Sequence, residues 1–224
     1  MIETMTELLT CTPETSNKPR SALPHLLLAH GAGQGMTSPF FESLTGLLMS
    51  RGISLTRFEF AYMAARRHEG KRRPPPRMPL LLEEYRAAIA QLRESLGAKP
   101  RIVIGGKSMG GRSASMIADD LFAEDAIAGL VCLSYPFHPP KKPDTLRTSH
   151  LAELQTPSLI VQGERDPFGT RAEIETYGLS PAIQFAWIGD GDHDLAPRAK
   201  SGFTRTGNLE TAAEAIASFL AGLN

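Results

Sequence analysis

Cysteine is scarce: the 224 residues hold two, Cys11 in a polar N-terminal stretch and Cys132 in an apolar run. Two thiols so placed form no disulfide framework, which excludes the small stapled folds and suits a reducing, cytoplasmic compartment. Net charge is lacking as well, because 24 basic and 24 acidic side chains cancel. No whole-molecule field therefore draws the chain to nucleic acid or to an anionic membrane. No stretch approaches the roughly 18 apolar residues of a membrane span, and residues 1–20 lack a charged n-region followed by an apolar h-region. There is no internal repeat of the kind that builds a solenoid. Residues 1–22, with their Thr, Glu, Ser, Asn and Pro, read as a flexible leader to a single domain over 23–224.

What is present is alternation. Six short apolar runs, at 25–29, 53–60, 101–105, 127–133, 158–162 and 183–188, predict strands, several apolar enough for burial on both faces of a parallel sheet. Between them, helical periodicity covers 39–50, 80–96, 109–121, 171–177 and 208–223. In the second of these helices Leu81, Leu82, Tyr85, Ala88, Ile89 and Leu92 form one stripe. Strands alternating with helices imply βαβ crossovers and a three-layer α/β/α sandwich around a mostly parallel six-stranded sheet. Two long connections, 63–79 and 136–150, leave strand C-termini, where open α/β sheets place their ligands.

Residues 101–111 read RIVIGGKSMGG, a β-rich run followed by Gly106-Lys107-Ser108-Met109-Gly110 and a helix-competent segment. The spelling G-x-S-x-G arises often by chance, but a Ser between a buried strand and a helix stands on a tight turn, the nucleophile elbow, that presents its oxygen above the sheet edge. The Met109 N–H then faces the site of a developing oxyanion. A Walker A loop shares the Gly-Lys-Ser spelling, yet it needs a further Gly where this chain has Arg101.

A serine hydroxyl needs a base within reach. His193, in the loop Gly189-Asp190-Gly191-Asp192-His193-Asp194 after the last predicted strand, is the candidate. Asp166, in Gly163-Glu164-Arg165-Asp166-Pro167 after the preceding strand, is the candidate acid that fixes the imidazole tautomer, with Glu164 as its competitor. The order Ser108, Asp166, His193, each at the end of a different strand, links the three signals. Past the first strand, His30-Gly31-Ala32-Gly33-Gln34-Gly35-Met36 offers Ala32 or Gly33 as the second oxyanion donor. A dinucleotide fingerprint would need Gly in place of Met36 or Ser38.

These residues resemble the α/β-hydrolase superfamily, most closely its small dienelactone-hydrolase-like members and the KANL/Tex hydrolase-like subgroup. The resemblance spans about residues 25–222 and rests on HGAGQGM, GGKSMGGRSAS, LSYPFHPPKKP, VQGERDPFG and GDHDL. It implies Ser108 as nucleophile, Asp166 as acid and His193 as base, in a minimal fold lacking the first two strands of the full eight and any cap domain. The site is then open, suited to small rather than bulky lipid substrates. Because some members of the subgroup serve as scaffold parts of larger assemblies, the resemblance leaves two function classes standing.

The first is a serine hydrolase acting on a small ester, thioester or lactone through an acyl-enzyme, without metal or cofactor. The second is a non-catalytic module that binds an acidic partner through Arg66, Arg67, Lys71, Arg72, Arg73 and Arg77. No aromatic residues interleave with those charges to stack bases, so RNA is not the expected partner. Tyr135, Phe137 and His138 are candidates either to line the acyl pocket or to anchor their loop, and Arg112 to meet an anionic substrate.

Overall fold

The computed structural model describes residues 6–13, 23–70, 72–97 and 100–223. Seven strands form one sheet: β1 (Glu7–Cys11), β2 (His25–Ala29), β3 (Leu55–Glu59), β4 (Ile102–Lys107), β5 (Gly129–Leu133), β6 (Ser158–Gly163) and β7 (Ile183–Ile188). Their order is β1-β3-β2-β4-β5-β6-β7. All neighbours are parallel except β1, which runs antiparallel to β3.

The helices α1 (Pro39–Ser50), α2 (Ala61–Glu69), α3 (Met78–Leu96), α4 (Met109–Ser115), α5 (Ala118–Ala123), α6 (Arg171–Ile174) and α7 (Arg205–Gly222) complete the layers. The central strands β2, β4, β5 and β6 are buried along their whole length because each feeds two cores. Alternate residues point to opposite faces of a strand, so Leu27, Ile104, Cys132 and Ile160 meet the α3 stripe of Leu81, Tyr85, Ile89 and Leu92. Their neighbours Leu26, Leu28, Val103, Val131 and Val161 meet Phe40 and Leu44 of α1 and Ala212, Ile216 and Leu220 of α7. At about 1.5–3 kcal/mol for each large apolar side chain buried, these two layers dominate the folding energy.

Three expectations need correction. The sheet has seven strands rather than six, because Glu7–Cys11, expected in the leader, adds an edge strand. That strand is only partly buried and pairs on one side, so it carries no continuous apolar run to announce it. Among the described residues, one strand rather than two is then missing relative to the full eight. The segment 63–79, expected as a single loop, is helical as far as Glu69, where Gly70 closes α2 at φ 70° with its N–H on the Arg66 carbonyl. The helix expected over 109–121 is divided into α4 and α5, where Met116 and Ile117 interrupt the regular ladder. No helix among the described residues is long and apolar enough to cross a membrane.

The edge strand also caps a polar chain that runs from exposed Thr10 to the buried Thr56 and His25. Thr56 on β3 joins Thr10 on β1 to His25 on β2, at 2.8 Å on each side. Burial lowers the His25 imidazole from 6.5 to about 4. A folded-state value below the unfolded one means that the unfolded chain takes up the proton first, so stability is full above pH 6.5 and is lost as pH falls toward 4. The expected loss from this one group is about 3 kcal/mol. Urea midpoints between pH 7 and pH 4 should fall further for the wild type than for His25→Gln. Parallel pH slopes would remove His25 as the cause.

Candidate active site

The chain reverses sharply between β4 and α4 at Ser108, whose φ of 53° and ψ of −115° lie where L side chains rarely go. Holding a non-glycine residue there costs on the order of 1–3 kcal/mol, so the surrounding bonds must impose it. They are the Ser108 N–H to the Leu133 carbonyl on β5 at 2.8 Å and the Arg112 N–H to the Ser108 carbonyl at 3.0 Å. The neighbours must be small. A Cβ on Gly106 would lie 2.4 Å from the Ala29 carbonyl oxygen, and one on Gly110 would lie 2.6 Å from the Ala29 and His30 carbonyl oxygens.

Two further strand ends deliver the partners. His193, in the loop after β7, places Nε2 2.9 Å from Ser108 Oγ and Nδ1 2.8 Å from Asp166 Oδ2. Asp166 is wholly buried in the turn after β6. Its Oδ1 accepts the Phe168 N–H at 2.9 Å and its Oδ2 accepts the Gln162 amide at 3.1 Å. Those donors satisfy a carboxylate rather than an acid, and they leave Oδ2 directed at the imidazole. The Phe168 ring covers the His193 face at a centroid distance of 4.2 Å. Glu164, the competing carboxylate, is engaged elsewhere, with Arg171 at 3.3 Å and the Asp190 N–H at 3.1 Å.

The loop after β2 faces this assembly from across a cavity of about 250 Å³, whose walls include Gly31, Ala32, Gly33, Ser108, Phe168 and His193. The Tyr62 hydroxyl of α2 donates to the Ala32 carbonyl at 3.0 Å and lies 3.4 Å from that of Gly31. Arg66 donates to the Gly33 carbonyl at 3.2 Å. In a planar trans peptide the N–H points opposite to the C=O, so with these carbonyls turned to α2 the N–H groups of Ala32 and Gly33 turn away from it. Behind the loop, wholly buried His30 accepts the Phe60 N–H on Nε2 at 3.0 Å. Its proton is therefore on Nδ1, directed at the Gly31 carbonyl 2.6 Å away. Desolvation holds its pKa below the ordinary imidazole value, keeping it neutral.

Other residues named from the sequence stand elsewhere. Tyr135 and Phe137 are wholly buried and His138 nearly so. Tyr135 bonds the Arg147 carbonyl at 2.9 Å, Phe137 packs on Tyr177 and Phe185, and His138 faces Glu173. They anchor the loop after β5 rather than line the cavity, because apolar rings this close to the sheet are drawn into its core. Arg112 is not among the residues that line the cavity, and its charge adds to desolvation in lowering the pKa values of Arg147 and His150. The basic cluster is partly spoken for: Arg66 holds Gly33, Arg67 pairs with Glu59 and Glu7, and Arg73 pairs with Glu69. Lys107, Gln162 and Phe168 lie inside GGKSMGG and VQGERDPFG without a role that the motif assigns them, and Tyr62 lies in no motif; their places in the site come from tertiary contacts.

The family model described as "Alpha/beta hydrolase domain" matches residues 22–221. Solved structures of similar fold include a dienelactone hydrolase from Anabaena variabilis, 17% identical with TM-score 0.69, aligned over 98% of this chain and 99% of that one. An alpha-beta serine hydrolase homologue from Coxiella burnetii is 18% identical with TM-score 0.66, over 95% and 90% of the two chains. A thermophilic esterase from Thermogutta terrifontis, with malate bound, is 18% identical with TM-score 0.65, over 97% and 94%. At such identities the likeness is one of fold. The seven-stranded sheet and the family match over residues 22–221 together place this chain in the α/β-hydrolase family.

Proposed function

We propose that the protein is a serine hydrolase that cleaves a small ester, thioester or lactone. The observation that carries this reading is the continuous hydrogen-bonded line from Ser108 Oγ through His193 to the buried Asp166. In the proposed reaction His193 Nε2 takes the Ser108 proton as Oγ attacks the acyl carbon, and the Asp166 carboxylate stabilises the imidazolium that forms. The oxyanion is received by the N–H of Met109 and the N–H of Ala32 or Gly33. The imidazolium then protonates the leaving group, and a water activated by the same base releases the acyl enzyme. No step calls for a metal or an organic cofactor.

A cavity of about 250 Å³ supports a short acyl group, since pockets for drug-sized ligands run from roughly 300 Å³ upward. A fluorophosphonate should label the wild type at one serine, and short-chain p-nitrophenyl esters should be turned over faster than long-chain ones. A folded protein inert to both would return the non-catalytic reading.

The α2 contacts give a separable expectation. Tyr62→Phe removes the donor to the Ala32 carbonyl and frees that peptide to rotate. The oxyanion N–H groups then lose their aim, and kcat is expected to fall roughly tenfold with KM little changed. Steady-state kinetics with a short ester checks this. An unchanged kcat would separate α2 from oxyanion alignment.

A further inference from the structure

The proposed reaction leaves unexplained the residue that precedes the nucleophile. Lys107 ends β4 and is only 8% exposed. An ammonium so deeply placed is costly unless its charge and its N–H groups are met. Both partners come from the loop that carries the base: the main-chain carbonyl of His193 at 2.8 Å and Oδ1 of Asp194 at 2.9 Å. The ring of Phe40 on α1 lies 5.1 Å beneath the ammonium.

The other polar contacts of this loop point elsewhere. Asp192 accepts the N–H groups of Asp194 and Ala196. Asn208 on α7 holds the Leu195 carbonyl, and Asp190 pairs with Arg198. These join the loop to itself and to α7, while Arg165 and Glu164 join it to the turn after β6 through the carbonyls of Asp190 and Gly191 and the Asp190 N–H. Lys107 joins it to the nucleophile's own strand. We infer that Lys107 is a positioning residue that ties the His193 peptide to β4, so that base and nucleophile keep their spacing through a direct link that the contacts to α7 and to the turn after β6 do not supply. The inference rests on the hydrolase reading above. Asp166 sets the direction of the imidazole, Phe168 covers its face, and Lys107 fixes the point from which the side chain hangs. Desolvation would raise the Asp194 carboxyl, but the Lys107 charge and hydrogen bond and the nearby His193 hold it below its ordinary value, as expected of a standing ion pair.

The test compares the wild type, Lys107→Met, Asp194→Asn and Lys107→Cys before and after aminoethylation, which rebuilds a lysine-length ammonium on the cysteine. The readouts are fluorophosphonate labelling rate, kcat, KM and melting temperature. Wild type carried through the same alkylation sets the baseline for Cys11 and Cys132. A displacement of about 1 Å in a catalytic group costs on the order of a hundredfold in rate, so Lys107→Met should lose about that in kcat and labelling with KM nearly unchanged. Asp194→Asn, which keeps the bond to the His193 carbonyl, should lose less, and aminoethylation of Lys107→Cys should restore most of the rate. If Lys107→Met does not fold, Lys107→Gln, which retains an N–H donor without the charge, is read by the same criteria. A variant that melts lower but labels at the wild-type rate overturns the tether, as does an aminoethylated protein no faster than its untreated cysteine form. A wild type that is never labelled removes the hydrolase reading itself and this inference with it.

Discussion

Replacing Ser108 with alanine is expected to lower kcat on a short ester by roughly 10⁵–10⁶-fold while the protein stays folded. The hydroxyl is the atom that forms the new bond in the proposed reaction, so nothing else in the cavity substitutes for it. The remaining acceleration over water, from the oxyanion donors and substrate binding, should be small but measurable. The backbone supplies an internal control. Alanine keeps the Cβ that makes φ 53° unfavourable, whereas glycine does not. Ser108→Gly should therefore be equally inactive yet more stable. Relief of about 1–3 kcal/mol is offset by about 0.5–1 kcal/mol of extra chain entropy in the unfolded state, leaving a gain near 1 kcal/mol. For a chain of this length that is a rise of about 2–4 °C in melting temperature. Labelling of Ser108→Ala by a fluorophosphonate at the wild-type rate would move the nucleophile elsewhere.

The second large effect is expected at Asp166. Its Oδ1 is committed to the Phe168 N–H, and Gln162 donates to the Oδ2 that meets His193. In Asp166→Asn the carbonyl oxygen takes the Phe168 bond, which turns the new NH₂ toward the His193 Nδ1 and the Gln162 amide. A donor there stabilises the imidazole tautomer with its proton on Nε2, and that tautomer cannot accept from Ser108. Turnover should fall by about 10⁴-fold with little change in KM. Two amide donors forced together in a buried turn also cost stability, on the order of 1–3 kcal/mol. Circular dichroism and urea unfolding separate the two effects. Turnover near the wild-type level in Asp166→Asn would assign the acid role to another carboxylate.

The parts of this molecule legible from sequence are those whose signal is local. Buried parallel strands read as apolar runs, and the 183–188 strand and the 39–50 helix emerged with the bounds the structure shows. The meeting of Ser108, Asp166 and His193 was legible because each follows its own strand and a parallel sheet gathers those ends at one edge. What escaped depends on partners remote in the chain. The strand β1 is half-polar because only one of its sides is paired. The α2 helix hides among arginines that look like a solvated loop until Arg66 and Arg67 find the Gly33 carbonyl and Glu59. Tyr135 and Phe137 were ambiguous for the same reason: an aromatic residue after a strand serves equally as a pocket wall or as a core anchor, and only packing decides.

The strand β1 closes the outer flank of β3 with five residues, and its Glu7 reaches Arg67, which holds the Glu59 carboxylate beneath the Met36 N–H. A chain trimmed past Cys11 would bare a row of unmatched amides on β3, a ready template for intermolecular strand exchange and fibrous growth. The few N-terminal residues that look most expendable thus guard the molecule's colloidal behaviour, and clipping them trades a shorter polypeptide for a stickier one.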